Sequence, residues 1–309
     1  MGHLNKTKVT VFVFSGLTHN EQLAAFLFTF FLNVYLVCVV FNFGMMFIVL
    51  KAPNLHTPMY YFLSYLSLVD LFYSSVIAPK MLADLMSNIK LISFYGCAFQ
   101  FFFFDALAVT EALLLSTMSY DRYVAICHPL RYVSIMTNKK CLSLAFLSFS
   151  IGFLQSIVQT SCVFSLEFCG PNLIDHFYCD VPPLLKLACS STLWCDSITF
   201  FFVFACGVGS LMPILVSYNF IVSSILKIKS SHGRQKAFGT CSSHLMCISI
   251  LYGTVFFIYL RPPNSALRIQ DKSASVFYTV MIPMLNPLIY SMRNQEVKQV
   301  LKKVLHIHH

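Results

Sequence analysis

The chain has 309 residues; 57% are hydrophobic and only 11% charged, and the formal net charge is +9. A soluble domain carries about 25% charged residues, so a water-facing surface around one or two soluble domains is excluded and much of the exterior must meet lipid. The basic residues lie in short clusters between long apolar runs, which argues against a nucleic-acid surface and for groups that set membrane orientation and touch anionic lipid.

Residues 1–22 read as an outer N-terminus. The apolar run from Val9 to Leu17 is short, lacks a good cleavage site and is followed by polar Thr18 to Glu21, so no cleavable signal is expected and the first span serves for targeting. Met1-Gly2 has Lys6 where a myristoylation site needs Ser or Thr. Asn5-Lys6-Thr7 is a sequon, used only on the luminal side, which makes Asn5 the expected glycosylation position.

A membrane-spanning helix needs about 20 mostly apolar residues. Seven segments qualify: roughly 23–50, 58–82, 97–126, 141–163, 197–226, 237–260 and 272–292. The expected fold class is therefore an all-α membrane protein, a seven-transmembrane helix bundle over residues 23–292. Residues 293–309 form an inner tail. In it, Val297, Val300, Leu301, Val304 and Leu305 alternate with Lys298, Lys302 and Lys303, the spacing of a short amphipathic helix on the inner leaflet. The His306-Ile307-His308-His309 end reads as incidental to metal binding. Lys and Arg favour the connections that face the cytosol if the N-terminus is outside, whereas acids such as Glu167, Asp175, Asp180 and Asp196 fall on the other side. The long second outer connection, 164–196, is rich in Cys, Pro and acid.

Ionisable groups inside spans are costly and need partners or a cavity. Asp70 lies deep in the second span and Glu111 deep in the third; with Asn42, Ser116 and Asn286 they form either a cation site or a protonated, hydrogen-bonded core, because two carboxylates at one depth cannot both stay charged alone. Asp105 stands among Phe residues. It is open to three readings: a partner for a cationic amine ligand, a hydrogen-bonded neutral acid, or a partner of Lys80 or Lys90. At the inner edge Asp121 and Arg122 offer each other a charge partner. Asn286-Pro287 places a proline within a helix, kinking it and freeing a carbonyl that polar residues must satisfy. Cys97 opens the third span and Cys169, Cys179 and Cys189 lie in the long outer loop; these four allow three pairings. Other cysteines sit within spans as small hydrophobes.

Four motifs occur in order: Leu55-His56-Thr57-Pro58-Met59-Tyr60, Met118-Ser119-Tyr120-Asp121-Arg122-Tyr123-Val124-Ala125-Ile126-Cys127, Lys236-Ala237-Phe238-Gly239-Thr240-Cys241-Ser242-Ser243-His244, and Pro283-Met284-Leu285-Asn286-Pro287-Leu288-Ile289-Tyr290. Together they resemble the signatures of vertebrate odorant receptors, rhodopsin-like G-protein-coupled receptors, from about Asn42 to Asn294. Phe41 departs from the family, which usually has a small residue there, and so brings helix packing at that point into question. Ser119 and Gly239 are small changes.

The resemblance implies a receptor that binds small lipophilic odorants within the bundle and activates a stimulatory, olfactory-type heterotrimeric G protein, raising cyclic AMP, in the plasma membrane of olfactory sensory cilia. It implies a ligand site lined by Phe104, Asp105, Ala108 and Val109 in the third span, Phe202 and Cys206 in the fifth, Tyr252, Val255 and Tyr259 in the sixth and Thr279 in the seventh. The activation switch would comprise Asp121, Arg122, Tyr218, Asn286, Pro287 and Tyr290, with Arg122 latched at rest and the two tyrosines meeting it on activation. A sodium ion is implied at Asp70 and Glu111, with no other cofactor. The family pattern pairs Cys97 with Cys179 and Cys169 with Cys189, leaving Cys195 unassigned. No nucleophile motif, phosphate loop or metal-protease helix is present, so no enzymatic activity is expected. A transporter or channel would show paired repeats and broken helices, and neither is visible.

Overall fold

The structure, a computed structural model, describes residues 9–169, 171–259, 268–293 and 297. In chain order the elements are β1 (Val11–Phe14), α1 (Glu21–Lys51), α2 (Pro58–Leu85), β2 (Leu91–Ser93), α3 (Phe94–Cys127), α4 (Tyr132–Ile135), α5 (Asn138–Phe164), β3 (Leu173–Ile174), α6 (Val181–Leu185), α7 (Leu193–Leu226), α8 (Ser231–Tyr259), α9 (Arg268–Val276) and α10 (Ile282–Arg293). A π-helical segment, Phe277–Met281, joins α9 to α10. Asn5 and the expected amphipathic tail helix lie outside the described residues, Val297 excepted.

Local sequence sets the helix starts. The side chains of Asn20, Ser93 and Thr137 accept from the backbone N–H groups of Leu23, Gly96 and Lys140 at 3.1, 3.0 and 3.3 Å, which satisfies donors that a helix leaves free at its N-terminus. Pro58 opens α2, where its missing N–H costs nothing. Among the described residues, α1, α2, α3, α5, α7 and the stretch Lys272–Tyr290 are long and apolar enough to cross a membrane. The remaining predicted span corresponds to α8, 29 residues with a polar inner end.

The exterior of the bundle is apolar, and its polar side chains sit inside, among a mostly apolar core. Phe26, Phe43, Phe72, Phe146 and Phe200 are exposed, while Asn42, Asp70, Ser74, Glu111, Ser119, Asp121 and Asn286 are buried. Lipid demands that placement: apolar side chains cost nothing on the outer face, and polar ones find partners only within. Phe41 is 40% exposed. It points away from its neighbours, so the packing problem expected from it does not arise; Asn42, one residue on, takes the buried face. Helices α3 and α5 cross closely at Gly152, where an added Cβ would lie 2.5 Å from the Ala106 carbonyl oxygen and against Thr110 Oγ1.

Pro287 cannot donate to the carbonyl four residues before it, Pro283. Asn42 Nδ2 donates to that carbonyl at 2.9 Å. A side chain of the first span thereby completes the hydrogen bonding of the last, as the kink requires.

The outer end carries a feature that the all-helical expectation missed. Strand β1 pairs antiparallel with β2 (Val11 opposite Ser93, Val13 opposite Leu91) and parallel with β3 (Val13 opposite Leu173). The alternation Val-Phe-Val-Phe puts Phe12 and Phe14 on the buried side, over Ile92, Phe101, Val163, Phe168 and Ile174. Disulfides fasten this cap: Cys97–Cys179 ties the long loop to α3 and Cys169–Cys189 closes the loop on itself. Cys195 also has a partner, Cys162. The apolar context of Cys162 suggested a span residue, but it lies at the outer end of α5, within reach of the start of α7. Lys272 adds an ionic clasp, donating to Asp175 Oδ1 at 2.9 Å, Ser15 Oγ at 2.7 Å and the Gly16 carbonyl at 3.2 Å.

Candidate functional site

At the outer end, Phe104 does not share a cavity wall with Asp105. It is buried in an aromatic cluster, with ring centroids 5.0 Å from Tyr178, 5.3 Å from Tyr73 and 5.8 Å from Tyr278. The hydroxyls of Tyr178 and Tyr278 lie 3.1 Å apart, and Tyr178 also donates to Asp180 Oδ2 at 3.1 Å. Burial pushes the Asp180 carboxyl up, opposed by the Val181 N–H and the Tyr178 hydroxyl. Beside this cluster, His176 packs on Phe177 and Tyr178. Burial first, then the Lys272 charge, lowers its pKa to about 3, with Asp175 opposing. The loop therefore plugs the centre of the bundle with aromatic rings and a neutral imidazole.

Asp105 turns toward α5 instead. Gln155 Nε2 donates to Asp105 Oδ2 at 3.0 Å and to Gln159 Oε1 at 3.2 Å, and Gln159 Nε2 donates to Thr199 Oγ1 at 3.2 Å. Neither Lys80 nor Lys90 is the partner of Asp105. Lys80 pairs with Asp84 one turn away, and Lys90 donates to the Thr18 carbonyl at 3.3 Å. Gln155 and Gln159 were not singled out from sequence. Their signal was present: two amides at i and i+4 in an otherwise apolar span share one helix face and need polar partners there.

Gln155 also lines a groove of about 540 Å³ between α3, α5 and α7, with Leu113, Ile151, Leu154, Val158, Phe201, Phe202, Ala205, Cys206 and Gly209. Two of the expected ligand residues, Phe202 and Cys206, are thus brought together, and Cys206 lies within electrostatic reach of Asp105. The others disperse. Ala108 packs against the main core and Val109 is half-buried. The Tyr252 hydroxyl donates to Ser210 Oγ at 2.6 Å, joining α8 to α7. Val255 is half-buried. Thr279 is buried and donates to the Ser275 carbonyl at 2.7 Å within its own helix. The side chain of Tyr259 lies outside the described residues.

In the middle of the bundle one amide holds two acids. Asn286 Nδ2 donates to Asp70 Oδ1 and Oδ2 at 3.2 and 3.1 Å and to Glu111 Oε1 at 3.0 Å. Both carboxyl groups are buried, and a single neutral donor cannot balance two negative charges. Asn42 Oδ1 is a further buried oxygen without a donor.

At the inner end Asp121 and Arg122 lie within electrostatic reach of each other but share no hydrogen bond. Consecutive residues of a helix project in different directions, and Asp121 Oδ1 instead accepts from the Tyr132 hydroxyl of α4 at 2.8 Å. Burial and the Asp121 charge push the Tyr132 hydroxyl up, so it stays a donor. Arg122 Nε is buried without a hydrogen-bond partner. Its charge lies within electrostatic reach of Tyr218, Cys241, His244 and Tyr290. His244 ties three helices: Nε2 is 3.1 Å from the Leu115 carbonyl and Nδ1 2.7 Å from the Tyr218 hydroxyl. A carbonyl only accepts, so Nε2 carries the proton and Nδ1 accepts from Tyr218. Tyr290 is buried beside Cys247. Of the switch residues expected from sequence, Asp121, Tyr218 and Tyr290 lie within electrostatic reach of Arg122, whereas Asn286 holds the acid pair.

The olfactory receptor family model matches residues 31–308. The human protein olfactory receptor 5A1 is 50% identical over 97% of this chain and 96% of its own length. Mouse olfactory receptor 5B21 is 52% identical over 97% and 94%, and human olfactory receptor 8U1 is 47% identical over 99% of both chains. A family match over most of the chain, with relatives about half identical along nearly its whole length, shows that the chain belongs to the olfactory receptor family.

Proposed function

We propose that this receptor binds small, volatile, lipophilic odorants in the outer half of its bundle and passes the signal to a stimulatory, olfactory-type G protein, raising cyclic AMP. The observation that carries the reading is the family match over residues 31–308, which spans the outer ligand region and the inner switch together. Binding acts by population shift: an odorant favours the active arrangement only to the extent that it binds it better. At the inner end Arg122, Tyr218 and Tyr290 are placed to exchange partners when α8 moves, and the Pro287 kink gives α10 a bend to work against. The N-terminus faces outward and the site of action is the plasma membrane of olfactory cilia. The test is a cyclic AMP reporter in cells displaying the receptor, challenged with a chemically broad odorant panel. A rise for at least one odorant, abolished by Arg122→Ala at equal surface display, is expected. Responses carried by another second messenger with cyclic AMP unchanged would overturn the stimulatory assignment.

A sodium ion fits the acid pair. Asp70 and Glu111 would hold it, and the ion would supply the positive charge that Asn286 lacks. Purified receptor should melt higher in sodium chloride than in equimolar choline chloride, and Glu111→Gln should erase the difference. Equal melting in both salts would exclude the ion.

A further inference from the structure

We infer that the long outer loop is a hinged lid over the centre of the bundle, with a covalent hinge on α3 and an ionic catch at Lys272 that opens to admit ligand from the aqueous side. The inference rests on the reading of the outer bundle as the ligand region and adds the means by which that region is closed. The hinge is at Cys179. The Cys97–Cys179 disulfide ties it to α3. Its backbone N–H donates to Gln100 Oε1 at 3.0 Å, and Gln100 Nε2 donates in turn to the Val76 carbonyl of α2 at 3.2 Å. This point of the loop is fixed to two helices at once.

A few residues earlier the same loop is held to the seventh span by an ion pair and hydrogen bonds. An ammonium has three N–H donors, and Lys272 directs them at Asp175 Oδ1, Ser15 Oγ and the Gly16 carbonyl. The Ser15 hydroxyl also donates to Asp175 Oδ1 at 3.0 Å. The N-terminal segment runs along the loop at this point: the Ser15 N–H donates to the Ile174 carbonyl at 2.9 Å and the Gly16 N–H to the His176 carbonyl at 3.2 Å. One side chain of α9 therefore fastens the loop and the N-terminal segment together. Helix α9 passes directly into the π-helical segment, whose Tyr278 meets Tyr178 of the loop, so both contacts of the loop with the seventh span lie on one stretch of chain.

Between hinge and catch lie His176, Phe177 and Tyr178, all buried. Tyr178 packs on Phe104 of α3, and Ala108 follows one turn deeper. A ligand coming from outside meets this stretch before it meets either residue. The two fastenings differ in kind. A disulfide persists outside the cell, whereas an ion pair whose acid side chain is 47% exposed is weakened by salt and contributes little on its own. The lid is weakest at Lys272. Lifting it there uncovers Phe104 while Cys179 stays in place and α3 stays folded.

Ala108→Cys places a thiol beneath the lid. Receptor carrying it, in phospholipid nanodiscs, is exposed to a charged, membrane-impermeant methanethiosulfonate, and modification at position 108 is read by mass spectrometry, which separates it from the native thiols. With the catch intact labelling should be slow. Lys272→Met, which keeps the length of the side chain and removes its charge, should speed labelling about fivefold, the upper range for a partly exposed ion pair. Raising salt from about 0.1 to 1 M shortens the Debye length from about 10 to 3 Å; it should speed labelling when Lys272 is present and leave Lys272→Met unchanged. Should Lys272→Met fail to fold, Asp175→Asn, at a half-exposed loop position, gives the same comparison. Hydrogen exchange over residues 11–17 and 173–178 should rise together with labelling while exchange in α3 stays constant. Labelling that neither substitution nor salt alters would overturn the catch. Exchange that rises throughout the bundle would overturn the lid and leave Lys272 a general staple. No odorant and no signalling enter the experiment, so this inference and the cyclic AMP reading fail separately.

Discussion

Replacing Asn42 by alanine should destabilise the receptor by an amount that depends on residue 287. In the native bundle Pro287 leaves the Pro283 carbonyl without a helical donor, and Asn42 Nδ2 fills the gap at 2.9 Å. Removing the amide orphans a buried carbonyl, at a cost of about 1–3 kcal/mol. Interhelical hydrogen bonds in membranes average about 0.6 and reach about 1.7 kcal/mol, which places the expected loss near 1–2 kcal/mol. For a bundle of this size that is a fall of several degrees in melting temperature, at about 2–4 °C per kcal/mol. In a Pro287→Ala background the backbone N–H of residue 287 can reach the Pro283 carbonyl itself, so Asn42→Ala should then cost little. The small cavity left by alanine is common to both backgrounds and cancels in the cycle. Melting of the four purified variants in one detergent provides the measurement. Strict additivity, with Asn42→Ala costing the same in both backgrounds, would refute the claim that Asn42 serves the proline's free carbonyl.

Three further outcomes follow from the packing and the cap. Gly152→Ala should lower melting by about 1–3 kcal/mol through overpacking against Ala106 and Thr110, whereas Gly44→Ala, with open space around it, should be neutral or mildly stabilising; equal effects would mean that the α3–α5 crossing is not tight. His176, held at about pKa 3 against an ordinary 6.5, takes up its proton in the unfolded chain before the folded one. Its contribution is therefore complete above about pH 6.5 and is lost as pH falls toward 3, by up to about 1.4 kcal/mol per pH unit. Melting at pH 7.4 and 5.5 should differ by about that amount more in the native receptor than in His176→Asn, and parallel curves would refute the burial argument. Phe41→Leu should change stability by less than about 0.5 kcal/mol, as for an exposed position; a large gain or loss would place Phe41 in a helix interface.

The membrane class, the helical spans and the inward placement of the ionisable groups followed from amino-acid composition and run length, because lipid leaves the backbone few solutions and tolerates few charges. The carbonyl left for a side-chain donor in the last span followed from Asn286-Pro287, since proline chemistry is local. The resemblance implied two disulfides that the structure contains. The failures share a cause. The sheet joining Val11–Phe14 to two distant strands, the Cys162–Cys195 bond and the turn of Asp105 toward Gln155 pair residues far apart in the chain, and Asp121 meets Tyr132 across the connection between two helices. Periodicity tells which face of a helix a side chain occupies; it does not tell which neighbour stands opposite. For Asp121 the adjacent Arg122 supplies charge, but the hydrogen bond comes from Tyr132. The donor that serves Pro283 and the close approach at the α3–α5 crossing exist only once the helices are set against one another, since hydrogen bonds and close packing depend on ångström-scale positions that the order of residues alone does not contain.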